Sequence, residues 1–132
     1  MTELVDSNTL SKWRKLVHLL VSLTNKGKLS WKETPRDDEF LTSHGSNVVV
    51  IRQSSSQTSF EDLFLISLRD KEGKIIDSFN DETLDHGQDE TNYYVLIRDL
   101  MLTIRRSLSG ADQALDELLA SLSEEDDDLP PF

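Results

Sequence analysis

Six carboxylates fall between residues 77 and 90: Asp77, Asp81, Glu82, Asp85, Asp89 and Glu90. Carboxylates converging from one loop are what a calcium ion requires. The spacing of the helix-loop-helix calcium motif is absent, however. Counted from Asp81, His86 stands at the sixth position, where that motif needs glycine, and Asn92 stands at the twelfth, where it needs glutamate. The segment therefore reads as a solvated acidic loop. The three histidines, His18, His44 and His86, are far apart, and none has a second histidine three or four residues on, so the spacing offers no zinc site. His18 falls beside an apolar stripe and reads as structural. Arg105-Arg106 closes a helical segment, where cations favour the helix dipole; the functional alternative is a clamp for an anion or carboxylate.

Other catalytic patterns fail on composition. The chain has five unclustered glycines, no G-x-S-x-G elbow and no phosphate-cradling or dinucleotide-binding glycine loop. It has no cysteine, which excludes disulfides, thiolate metal sites and cysteine nucleophiles. No cofactor is implied, and the chain reads as a non-catalytic interaction module, a small acidic regulator, adaptor or inhibitor of a basic partner; the alternatives are an acidic nucleic-acid mimic or antitoxin- or immunity-like inhibitor, and an enzyme with an unrecognised site.

A different chemistry is written near the end. Leu115, Leu118, Leu119 and Leu122 recur at helical spacing beyond a Ser109-Gly110 break. Such a stripe either folds onto the domain, the preferred reading, or forms a handle for a dimer or a partner. These four leucines, with Asp85 and Asp89 of the acidic loop, are the candidate partner-binding residues. Trp31 is a second candidate anchor, but packing under the first helix beside Trp13 is the simpler expectation. In the acidic tail, residues 123–132, Leu129 and Phe132 punctuate the charges; a disordered chain end is the default there.

The elements that would hold these residues follow from periodicity. Leu10, Trp13, Leu16, Val17, Leu20 and Leu23 form the stripe of a helix from about Asn8 to Asn25, with Ser7 or Asn8 as its N-cap and Gly27 just past its end. Strands are expected at Lys28–Glu33, Glu39–Ser43, Val48–Ile51, Asp62–Arg69 and Lys74–Phe79, the third central or covered on both faces because Val48, Val49, Val50 and Ile51 are all β-branched. A polar loop from Ser54 to Ser59 and a tight turn at Asp70–Gly73 join them. A helix from about Glu90 to Leu108 carries Tyr93, Ile97, Leu100, Met101, Ile104 and Leu108. A last helix runs from Ala111 to Leu122, with Ser109 and Asp112 at capping-box spacing. The order is helix, strand meander, helix pair, which is an α+β domain over residues 1–122 with both closing helices packed on one sheet face.

Charge is unevenly spread. The net charge is -11, but residues 1–60 carry +2 and residues 61–132 carry -13. An acidic half repels nucleic-acid backbones and favours basic partners. The N-terminus lacks the basic start and apolar run of a signal peptide, and no apolar stretch is long enough to cross a bilayer. A cytoplasmic monomer or homodimer with a basic protein partner is expected, with no membrane association.

Three segments taken together carry a resemblance: Leu23-Thr24-Asn25-Lys26-Gly27-Lys28-Leu29-Ser30-Trp31; Leu68-Arg69-Asp70-Lys71-Glu72-Gly73; and Tyr93-Tyr94 through Arg105-Arg106-Ser107-Leu108-Ser109-Gly110-Ala111-Asp112 with Leu115-Asp116-Glu117-Leu118-Leu119. The chain resembles a family of small uncharacterised bacterial proteins with a helix, a G-K-L-x-W strand, a β-meander and a closing helix pair. The resemblance spans most of residues 10 to 120. It implies shared architecture and a bacterial or phage source, and it carries no functional residue.

Overall fold

The computed structural model describes residues 6–55, 62–85 and 90–126. Helix α1 (Ser7–Asn25) precedes strands β1 (Lys32–Glu33), β2 (Glu39–His44), β3 (Asn47–Ser55), β4 (Asp62–Arg69) and β5 (Ile75–Asn80). A single turn α2 (Asp81–Leu84) then leads to α3 (Tyr93–Ser109) and α4 (Ala111–Glu125). The strands form one antiparallel sheet in chain order. The architecture is α+β, as the order of patterns implies.

Strand side chains alternate between faces, so register decides which residues meet. Pairing aligns Phe40 with Ile51, Ile51 with Ile66 and Ile66 with Phe79, one apolar row across four strands. All four are buried, together with Val49 and Phe64 on the same face. The covering layer comes from Val17 and Leu20 of α1 and Tyr93, Ile97, Leu100, Met101 and Ile104 of α3. Each such side chain contributes about 1.5–3 kcal/mol by leaving water. Trp13 stacks on Phe79 at 4.9 Å between ring centroids, and its indole N–H donates to Asp77 at 2.8 Å.

Helix ends are fixed by local chemistry. Asp6 caps α1 by accepting from the Asn8 N–H, one residue before Ser7 and two before Asn8, the expected caps. At the other end Gly27 takes φ +70°, while Lys28 donates to the Leu23 carbonyl and Gly27 to that of Thr24. This is the paired bonding by which a left-handed residue closes a helix. The expected first strand shrinks to Lys32–Glu33, because Trp31 turns inward and donates to Thr24 Oγ1 at 2.9 Å. Trp31 thus packs under the end of α1, about three turns away from Trp13. The acidic segment read as a loop contains α2, because the Asn80 carboxamide accepts from the Thr83 N–H. α3 starts at Tyr93 because Asn92 caps Val95.

The last helix departs from expectation. α3 packs on the sheet, but α4 has no buried residue. It also continues to Glu125, three residues into the stretch read as tail; residues 127–132 lie outside the described residues. The Ser109–Asp112 capping box does not form. Gly110 occupies the cap without a side-chain bond, Ser109 turns back to the Arg106 carbonyl, and Asp112 accepts from Arg106 instead.

The central row sets global stability. Ile66→Ala should cost about 2–5 kcal/mol, as buried aliphatic truncations do, read as a lowered urea midpoint at unchanged slope.

Candidate functional site

One residue, Gly110 at φ +73°, separates α3 from α4. A residue in that conformation ends a helix and lets the chain leave at a new angle. Arg106 and Asp112 then bridge the break at 2.6 Å. Both side chains are largely exposed, so the pair orients α4 without contributing much stability. Beyond the break, Leu115, Leu118, Leu119 and Leu122 remain 47–54% exposed, although their spacing places them on one face. No lysine or arginine follows Arg106 in the sequence. Asp116 borders the leucine seam on one side and Glu125 on the other at 100° per residue. Among the described residues neither makes an ion pair. The result is an acidic helix with an uncovered apolar seam.

The acidic loop comes apart into separate structural roles. Asp77 holds the Trp13 indole. Asp81 is buried and accepts from the Phe64 N–H at 2.8 Å. Asp85, a candidate partner-binding residue, is exposed, and its carboxylate accepts from the Tyr93 N–H, tying α2 to the start of α3. Asp89 and His86 lie outside the described residues. Among the described residues no three acidic or histidine side chains gather where they could hold a metal ion. Burial pushes the Asp81 carboxyl above its ordinary 3.8, with Glu82 and Asp85 adding to the rise and the Phe64 N–H opposing it.

The remaining candidates are also engaged in the fold. His18 meets the Tyr93 hydroxyl at 3.2 Å and its ring edge-on. Arg105 donates to Asp38 at 3.0 Å and Gln53 at 2.8 Å while lying 5.8 Å over the Phe40 ring. It pins the end of α3 to the β2–β3 side of the sheet, so the clamp it forms is already filled from within. Arg14 donates from both Nε and Nη2 to the Leu84 carbonyl.

Sequence reading missed the second face of the sheet. Val50 is only 3% exposed, yet it lies opposite the residues of the core cluster. Its rung runs Leu41, Val50, Ser67, Ser78; the flanking rungs are Glu39, Arg52, Leu65, Asn80 and Ser43, Val48, Arg69, Ile75. α1, α2 and α3 all contribute to the core on the other side and α4 buries nothing, so among the described residues no helix covers this face. Arg36, Arg52 and Arg69 rim a cleft of about 210 Å³ over Val50, with Ile75 and Ser78 at its β5 side. Glu39 is buried there, accepting from Thr34 at 2.8 Å and standing 4.0 Å from Arg36. Arg52 and Arg69 make no ion pair among the described residues, and the Arg69 Nε is buried without a hydrogen-bond partner. A bulge sets Ile75 and Ile76 against the single residue Arg69 and leaves both isoleucines more than half exposed. The signal for this face was present in the alternation, since Arg52 and Arg69 fall out of phase with Ile51 and Leu68.

Compared with known proteins, the chain matches no family model, no curated protein and no solved structure. What these surfaces do has to be read from their own residues.

Two outcomes follow. At concentrations where the chain is monomeric, Leu118→Ala and Leu119→Ala should each change unfolding free energy by less than about 0.5 kcal/mol, as exposed positions do; a loss of several kcal/mol in urea titrations there would mean that α4 packs against its own domain in solution. For Asp81, a carboxyl raised on folding makes the native state lose stability as pH rises through the interval above 3.8. Wild type should therefore gain stability relative to Asp81→Asn as pH falls from 7 toward that value, measured as the difference between their urea midpoints.

Proposed function

We propose that this chain is a non-catalytic protein-interaction module, a small regulator, adaptor or inhibitor, that docks through α4 onto a basic and apolar surface of a protein partner. One observation carries the reading: a fifteen-residue helix has no buried residue yet bears four leucines in register. Apolar side chains aligned on an isolated helix face lose their hydration cost only when something covers them. An amphipathic helix seated in a groove by anchors at i, i+3, i+4 and i+7 is a recurrent mode of protein recognition. The charges give the partner its sign. Asp112, Asp116 and Glu125 flank the seam and Glu117 and Glu124 lie on the far face, with no cation beyond Arg106, so the complementary surface is basic.

A nucleic-acid mimic would need carboxylates in a row without an apolar seam, and the leucines weigh against it. The net charge of -11 likewise opposes direct binding to nucleic acid. Among the described residues no helix is long and apolar enough to cross a membrane. We infer a cytoplasmic setting from the absence of cysteine together with this composition.

The test is affinity capture from the native host with the tagged full chain and a Leu118→Asp/Leu122→Asp variant of unchanged circular dichroism. A stoichiometric partner with a basic surface should bind wild type, elute as salt is raised and bind the variant at least about tenfold more weakly. Capture indifferent to the leucines would remove α4 from the interaction and the reading with it.

A further inference from the structure

The docking reading asks for a basic, apolar surface, and this molecule owns one. The uncovered sheet face has Val50 as its floor, Leu41, Leu65 and Ile75 around it, and two arginines without carboxylate partners among the described residues, Arg52 and Arg69. Arg52 pairs with Leu65, and Arg69 stands four residues further along β4. The two arginines are thus about 14 Å apart, mostly along the strands. On α4, Asp116 and Glu125 lie nine residues apart on opposite borders of the leucine seam, about 13 Å along the helix axis. A helix laid along β3 and β4 above the buried Val50, with its leucines on Leu65 and Ile75, therefore brings one free carboxylate toward each free arginine.

Resting on the docking reading, we propose that the first partner of α4 is a second copy of this chain: α4 of each protomer lies on the open sheet face of the other. Charge decides this arrangement against its alternatives. Pairing α4 with α4 would juxtapose only carboxylates, because no cation follows Arg106. Docking within one chain is opposed by the hinge, since only Gly110 joins α4 to α3, whose end Arg105 pins on the covered side of the sheet. An exchange between two copies uses the same contact twice about a twofold axis, which doubles the apolar area covered. Each copy carries -11, so general repulsion works against association and the two local charge pairs select the register.

Sedimentation velocity of the full chain from 1 to 200 µM should show a monomer–dimer equilibrium. Arg52→Glu/Arg69→Glu and Asp116→Lys/Glu125→Lys should each weaken it at least about tenfold. Mixing the two variants should restore a dimer, because both reciprocal contacts then pair opposite charges. The cysteine-free background supplies a second readout: Leu119→Cys and Ser78→Cys, mixed and oxidised, should give a disulfide-linked heterodimer. A dimer lost with Leu118→Asp/Leu122→Asp but indifferent to Arg52→Glu/Arg69→Glu, or Leu119→Cys crosslinking only to itself, would place α4 on α4 and overturn the proposal. A monomer at all concentrations that still captures a basic host protein through its leucines would overturn the second-copy partner and leave the docking reading standing. A monomer whose captured proteins ignore the leucines would end both.

Discussion

The row Phe40, Ile51, Ile66, Phe79 is the constraint on which the rest of this molecule depends. It exists because four antiparallel strands keep one register, and a slip by a single residue would turn every member to the opposite face. The attachments of α1, α2 and α3 refer to this row or to its neighbours. Trp13 of α1 stacks on Phe79, Arg105 of α3 lies over Phe40, and Leu84 of α2 completes the same cluster.

Covering one face and leaving the other open has an electrostatic consequence. The cations of the middle strands, Arg52 and Arg69, point away from the core, as do the acids of α4. A chain that is strongly acidic overall thus carries a local basic face and, beyond Gly110, a wholly acidic helix. Total charge describes neither. Complementarity between surfaces is a property of where charges stand relative to apolar neighbours, which is why the same net -11 coexists with a patch suited to carboxylates.

The acids of the second half also divide by role. Asp77, Asp81 and Asp85 satisfy an indole and two backbone N–H groups that would otherwise lack partners. Glu39 and Thr42, buried on opposite faces of β2, are bonded to Thr34 and to the Ser30 carbonyl. These groups are fixed by the accounting that buried polar atoms demand. The carboxylates on α4 answer to no such demand, and that freedom separates a candidate docking helix from a structural acidic segment.

Much of this was legible in the residues. Alternation named β2 to β5 within a residue or two at most ends, the 3.6-residue period named α1 and α3 and most of their buried faces, and glycines at 27, 73 and 110 marked left-handed turns. Those features are local: they depend on spacing along the chain and on the backbone freedom of one residue. The stripe on α4 was equally legible as a stripe, but a periodic pattern does not say what covers it. Only the tertiary structure decided that Leu115 to Leu122 stay uncovered, that Asp77, Asp81 and Asp85 serve the fold and not one site, and that Arg52 and Arg69 share an open face. Each of these depends on register and on which sheet face the helices occupy. They are long-range choices set by the summed burial of many side chains, and no short window of sequence contains that sum.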